Sequence, residues 1–300
     1  MASTAVPGHE PTGTEQTETD YPAPRQPGTG RDLPVAITVG VGLLALVAAA
    51  LFVIKEIFAL LTVVAVGAAM WELAQAFRRK DIHIPLVPLL VGLVGMLVSA
   101  YVAGAEALLV AFLLTVGGTV VWRVLDGSGE PALRDITASA FAAAWLPFLA
   151  GFAMLMLQPV DGPKRVMLFV LVVVASDTGG YAVGSLLGTH RLAPKVSPGK
   201  TWEGLAGSLV LACVVGVLGT SAGIPRLLDA EPYVGVCLGL GVVVTATLGD
   251  LAESLLKRDL GLKDMGTLLP GHGGLLDRLD SMLLAAPAAY LVLNQLVPPL

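Results

Sequence analysis

Nine apolar runs, each close to the roughly 20 residues an α-helix needs to cross a bilayer, set what this chain can fold into. They fall at about 35–54, 57–77, 84–103, 105–122, 137–157, 166–187, 204–223, 233–256 and 280–297, and each break carries charges, Pro or Gly. Charged residues make up 14% of the sequence, against about 25% in an ordinary soluble domain, and the mean hydropathy is +0.80. The expected fold class is all-α, a polytopic membrane protein of about nine transmembrane helices. No internal repeat points to an inverted-repeat transporter. Cys213 and Cys237 both lie inside apolar runs and read as buried small hydrophobes rather than a disulfide or metal pair.

Three regions are expected. Residues 1–33 are rich in Pro, Gly, Thr and Glu and poor in large apolar side chains, the composition of a disordered tail. Residues 34–165 hold the N-terminal transmembrane helices, and 166–300 a C-terminal region that carries the chemistry. With nine spans, the tail shares a side with the even-numbered loops. That side holds fourteen of the 18 Lys and Arg residues, whereas the other holds only Lys55, Lys164, Arg165 and Arg226. Because Lys and Arg collect on the cytoplasmic side, the N-terminus and the loops 188–203 and 257–279 are expected there, with the C-terminus external.

The charged residues that crowd against the apolar runs are the candidates for chemistry, since such charges are expensive to place. Asp177 lies within the sixth run, where a carboxylate needs a partner, water or a metal. Gly179, Gly180 and Gly184 follow it and would let a helix or ligand approach closely. The next loop reads GTHRLAPKVSPGKTWEG, in which Lys195 and Lys200 flank Ser197, Pro198 and Gly199. Thr201 is a plausible N-cap for the following helix. Free N–H groups beside two lysines make an anion site.

Asp250, Glu253, Ser254 and Lys257 share one helix face at spacings of three and four. Asp277 opens the last helix with Arg278 and Asp280. If those helices are neighbours, Asp250 and Asp277 could clamp one Mg²⁺, which takes one or two protein carboxylates and completes its octahedron with phosphates and water. Asp280 reads as a helix N-terminal acid favoured by the dipole. His272, between Gly271 and Gly273, suits either phosphate contact or pinning of the turn.

Ser254 to Asp280, SLLKRDLGLKDMGTLLPGHGGLLDRLD, resembles the signature of the bacterial-type phosphatidate cytidylyltransferases, the CDP-diacylglycerol synthases. The blocks SDTGGYAVG from Ser176 and HRLAPKVSPGKTWEG from His190 resemble the same family. The likeness covers about 165–297; the earlier helices match only in being apolar.

The resemblance implies a transferase of the bacterial cytoplasmic membrane that joins CTP and phosphatidic acid into CDP-diacylglycerol and pyrophosphate. It implies Mg²⁺ on Asp250 and Asp277, with room for a second cation such as K⁺. The implied catalytic set is Asp177, Lys200, Lys257, Arg258, Lys263, Asp264 and Arg278. Substrate binding would fall to Lys195, Ser197, Lys200, Thr201, Ser254, His272, Gly273 and Gly274. Asp177 would either orient a lysine or complete the metal shell. A homodimer fits the resemblance, and no nucleic-acid partner is expected. Asp126-Gly127 begins like the motif of the CDP-alcohol phosphotransferases, but Pro131 and Leu133-Arg134 do not continue it.

Overall fold

The computed structural model describes residue 2 and residues 33–126, 132–222, 227–262, 264–266 and 274–298. Residues 45–300 form one compact unit, and residues 1–44 form another. The helices are α1 (Leu33–Val53), α2 (Lys55–Arg78), α3 (Leu86–Ala103), α4 (Ala105–Asp126), α5 (Ala132–Ala143), α6 (Leu149–Leu157), α7 (Gly162–Leu187), α8 (Trp202–Val217), α9 (Pro232–Leu260) and α10 (Leu276–Leu296). A short antiparallel hairpin, β1 (Arg191–Ala193) and β2 (Ser197–Thr201), joins α7 to α8.

α5 and α6 are one rod. A π-helical turn, Ala144–Phe148, links them and contains Pro147, whose missing N–H donor is tolerated where the helix is locally widened. The combined span Ala132–Leu157 is one of eight helices among the described residues that are long and apolar enough to cross a bilayer. The remaining helix, α1, contributes the shorter apolar stretch Gly40–Val53. The chain is thus an all-α polytopic membrane protein, and its helices follow the apolar runs to within a few residues.

The helices expose apolar side chains outward, for example Val91, Leu114, Val124 and Leu186. A soluble domain does not leave so much large apolar surface bare; facing lipid, it is the low-energy arrangement. Inside, α9 packs on both α8 and α10, α7 packs on α8, and α10 also meets α2, α6 and α7. The α7–α8 crossing is close enough for backbone contact. A Cβ on Gly179 would lie 2.5 Å from the Gly207 carbonyl oxygen, and one on Gly207 would lie 2.7 Å from the Gly179 oxygen. The glycines after Asp177 therefore admit a partner helix, α8.

Polar clasps fix the two ends of the bundle. At one end Lys55 Nζ donates to the Gln158 carbonyl at 3.1 Å. There the buried Arg165 pairs with Asp161 at 2.8 Å and donates to the carbonyls of Leu293 and Val297, both at 3.0 Å. At the other end Arg123 pairs with Asp135 at 3.1 Å, and Asp135 accepts the His83 N–H at 3.0 Å. The segregation of basic residues counted from sequence thus has a structural counterpart: Lys55 and Arg165 lie at one end, and Arg123, the hairpin and the end of α9 belong to the other.

Two local details depart from the sequence reading. The segment 188–203, read as a loop, folds into the hairpin, with Arg191 opposite Thr201 and a turn in which Val196 N–H donates to the Ala193 carbonyl at 3.2 Å. Pro194 sits at the turn position its fixed φ favours. The last helix begins at Leu276, so Asp277 opens it and Asp280 lies within it, as expected. Both cysteines are free, as expected, but half-buried rather than buried. The expected tail, residues 1–33, lies outside the described residues apart from Ala2 and the first position of α1.

Candidate active site

The charged motifs converge on one cavity of about 650 Å³. α7 supplies Asp177, Tyr181 and Ser185, and the hairpin supplies Arg191 and Lys200. α9 adds Thr247, Asp250 and Lys257, and α10 adds Asp277, Asp280 and Ser281. Residues as far apart in sequence as Asp177 and Ser281 meet because α7, α8, α9 and α10 pack consecutively.

Three ion pairs on two lysines organise the charges. Lys200 Nζ lies 2.5 Å from Asp250 Oδ2, which ties the hairpin to α9. Lys257 Nζ lies 3.0 Å from Asp277 Oδ1 and 3.0 Å from Glu253 Oε2, which ties α9 to α10. The second oxygen of Asp277 accepts backbone N–H groups from Gly274 at 2.8 Å and Met265 at 3.2 Å. Asp277 therefore ties Met265 and Gly274 to the start of α10 as well as facing the cavity. Asp177 is exposed into the cavity, with Asp280, Asp250 and Lys200 as its charged neighbours and Ser281 as a hydrogen-bond partner.

Acid outnumbers base here. Asp177, Asp250, Glu253, Asp277 and Asp280 face Lys200, Lys257 and Arg191. The Glu253 and Asp280 carboxyls lie against one another, and the buried Glu253 Oε1 has no hydrogen-bond donor among the described residues. Carboxylates this close repel unless a cation or a proton lies between them. Among the described residues, no three Asp, Glu, His or Cys side chains converge tightly enough to hold a metal ion by themselves. An oxygen-only donor set with one or two accessible carboxylates and space for phosphate suits Mg²⁺, which keeps water and substrate oxygens in its shell.

The hairpin positions its lysine by ordinary means. Arg191 donates to the Pro198 carbonyl at 2.6 Å, and Trp202 N–H donates to the His190 carbonyl at 2.9 Å. The buried Thr201 caps α8, its hydroxyl accepting Gly204 N–H at 3.1 Å, as the sequence suggested. Glu203 grips the strand entry through Thr189 at 2.8 Å and His190 at 2.6 Å. At the cavity mouth Tyr181 is 72% exposed, and Trp202, next to the lining residue Thr201, is 58% exposed. Such aromatic side chains settle at membrane–water boundaries.

The cytidylyltransferase family model matches residues 34–296. The chain belongs to that family. It is 41% identical to a phosphatidate cytidylyltransferase of Mycobacterium leprae, over 90% of each chain. It is 38% identical to a phosphatidate cytidylyltransferase of Mycobacterium bovis, over 98% of each chain. A phosphatidate cytidylyltransferase of Bacillus subtilis is 32% identical over 87% of this chain and 98% of its own. A cytidylyltransferase is a nucleotidyltransferase, so the chain is an enzyme. The family match begins at residue 34, so it takes in the helices whose sequence resembled the family only in being apolar.

Within this cytidylyltransferase, Asp177, Lys200, Thr201, Asp250, Lys257 and Asp277 line the cavity together. Gly274 stands one hydrogen bond away on Asp277. Lys195, Arg258, Asp264 and Arg278 are exposed, Ser197 and Ser254 are half-buried, and none of these six lines the cavity. Arg258 instead donates to the Val196 carbonyl at 3.5 Å, bracing the hairpin. Lys263, His272 and Gly273 lie outside the described residues. Sequence reasoning passed over Tyr181, Arg191 and Ser281, and treated Asp280 as a helix-end acid. Asp280 is buried and lines the cavity. Its three-residue offset from Asp277 was the signal that both belong to one face.

Proposed function

We propose that the enzyme is a CTP:phosphatidate cytidylyltransferase, making CDP-diacylglycerol and pyrophosphate for phospholipid synthesis. The observation that carries this reading is the meeting of the two motif segments, 176–204 and 250–281, in one cavity lined by both lysines and carboxylates. The names of the relatives support it.

In this reading an oxygen of the lipid phosphate attacks the α-phosphorus of CTP. A new P–O bond forms, the bond from the α-phosphorus to the bridging oxygen breaks, and pyrophosphate leaves with that oxygen. A phosphate monoester is already largely ionised near neutral pH, its second pKa being about 6, so the nucleophile needs no general base. The protein's work is positioning and charge neutralisation. Lys200 reaches the cavity from the hairpin and Lys257 from α9, and both would neutralise the nucleotide phosphates. Asp250 and Asp277 would hold Mg²⁺, which when bound supplies charge neutralisation at the phosphates. Their present lysine partners would then be free to turn toward the anionic substrate. Asp177, beside Lys200 and Asp250, would keep that lysine aimed.

The lipid would come in laterally, its phosphate passing Tyr181 and Trp202 while the acyl chains stay among apolar side chains. The end bearing the hairpin would face the cytoplasm, where CTP is available, and the basic residues at that end support this orientation.

The test is conversion of phosphatidic acid by the purified protein in detergent, supplied with CTP, with and without Mg²⁺. CDP-diacylglycerol that forms only with both CTP and Mg²⁺ is the expected result. No product from folded, lipid-supplied protein would refute the reading.

A further inference from the structure

Glu72 lies in the last third of α2, almost 200 residues before the signature loop, and is 1% exposed. No motif contains it. A buried carboxylate in an apolar span needs a reason. The structure gives one: Glu72 Oε2 accepts the Leu276 N–H, the first of α10, at 2.9 Å. Its other oxygen, Oε1, is buried and has no hydrogen-bond donor among the described residues. Two glycines of the signature close around it. A Cβ at Gly266 would collide with the Glu72 carboxyl, and one at Gly274 would come within 2.9 Å of Glu72 Oε2. One residue after Leu276 stands Asp277, whose own carboxylate holds Gly274 and Met265.

We infer that Glu72 is a positioning residue for the reaction: a side chain from the N-terminal helices that seats the start of α10 and thereby aims Asp277 and Asp280 into the cavity. Its negative charge sits where the orphan N–H groups and the positive dipole end of α10 point. It supplies a cap that α10 lacks locally, since the residue before Leu276 is Leu275, which has no polar side chain. The glycines at 266 and 274 are required because the loop must pass against this carboxylate. The N-terminal half is therefore part of the active-site scaffold and not only lipid-facing packing.

The effect on turnover rests on the cytidylyltransferase reading; the structural effect does not, and the experiment separates them. Hydrogen exchange of the amides in 274–282 and kcat are measured on purified wild-type, E72A, E72Q, E72D, G266A and E72A/G266A proteins. E72A is expected to raise exchange at the start of α10 about tenfold, as loss of a charge-assisted hydrogen bond does. It should lower kcat by about 10²-fold, the cost of a small misplacement of reacting groups, while KM for phosphatidic acid stays within about twofold. E72Q retains an oxygen acceptor of the same reach and should restore most of the protection and the turnover. G266A should damage the wild type but add little to E72A, because the clash partner is gone.

Wild-type exchange and kcat in folded E72A, or full additivity of E72A with G266A, would overturn the inference. If E72A does not fold, E72Q and E72D decide. The aspartate is one methylene too short, so it must lose protection that the glutamine keeps; equal protection overturns the inference. Absence of any cytidylyltransferase activity in the wild type would refute the proposed function, and the exchange data would still test the seating of α10.

Discussion

Lys200 and Asp250 form an ion pair 2.5 Å long that joins the hairpin after α7 to the middle of α9. It is one of the points at which the two motif segments touch, the bond from Arg258 to the Val196 carbonyl being another. The pair is partly open to the cavity, with side chains 23% and 37% exposed, so it is no major source of stability. Exposed pairs contribute about 1 kcal/mol or less. In the proposed function its value lies in holding a cation and a carboxylate at the place where a nucleotide phosphate would bind.

Replacement of Lys200 by Met should therefore cost activity far more than stability. Loss of one preorganised charge at a transition state lowers kcat by about 10²–10³-fold. Thermal unfolding in detergent should change little. A parallel drop in melting temperature and activity would instead make Lys200 a structural residue.

Gly207→Val tests the α7–α8 crossing. Its Cβ would sit against Val183 and 2.7 Å from the Gly179 oxygen. Overpacking of this kind costs about 1–3 kcal/mol, and here it would also push Asp177 away from Lys200. Thermal unfolding and kcat should both fall. A variant with unchanged unfolding would show that the helices can part without loss.

Arg165→Ala makes the opposite separation. Arg165 is buried at the far end of the bundle, paired to Asp161 and capping the carbonyls at the end of α10. Removing one partner of a buried pair costs about 3–5 kcal/mol. Lys is not expected to rescue it, because four separate acceptors, Asp161 and the carbonyls of Leu293, Val297 and Pro298, are met by the planar guanidinium fork. The fraction that folds should turn over at close to the wild-type kcat, measured against active-site concentration. A folded variant with normal stability would contradict the assigned role.

The orientation can be read by labelling. Lys164→Cys, at the sparsely charged end, should react with a membrane-impermeant maleimide added outside intact cells. Lys80→Cys, at the basic end, should react only after the membrane is opened. The reverse pattern would invert the topology.

Much of this architecture is legible in the amino-acid sequence. The apolar runs mark the helices because a bilayer demands about 20 residues per span, and the motif residues Asp177, Lys200, Asp250, Lys257 and Asp277 do share one cavity. What escapes a reading of the sequence are features set by pairing across long distances along the chain. The hairpin at 191–201 depends on register between Arg191 and Thr201, which a run of Pro, Ser and Gly does not declare. The clasp of Arg165 on Leu293 and Val297 joins two span ends that no local pattern connects. Glu72 is visible as the one acid within the apolar run 57–77, and the argument from burial cost applied to Asp177 applies equally to it. Asp280 reads from its neighbours in sequence as a dipole acid, whereas its surroundings are Glu253 and Asp177.

The central claim is that this site transfers a cytidylyl group and not a terminal phosphate. The most direct test gives the purified protein phosphatidic acid, Mg²⁺ and CTP carrying phosphorus label at either the α or the γ position, with Asp250→Asn alongside. The account predicts that α label enters the lipid product, that γ label leaves as pyrophosphate, and that Asp250→Asn abolishes both. Label passing from the γ position into lipid, or α label entering lipid at the wild-type rate in Asp250→Asn, would contradict it.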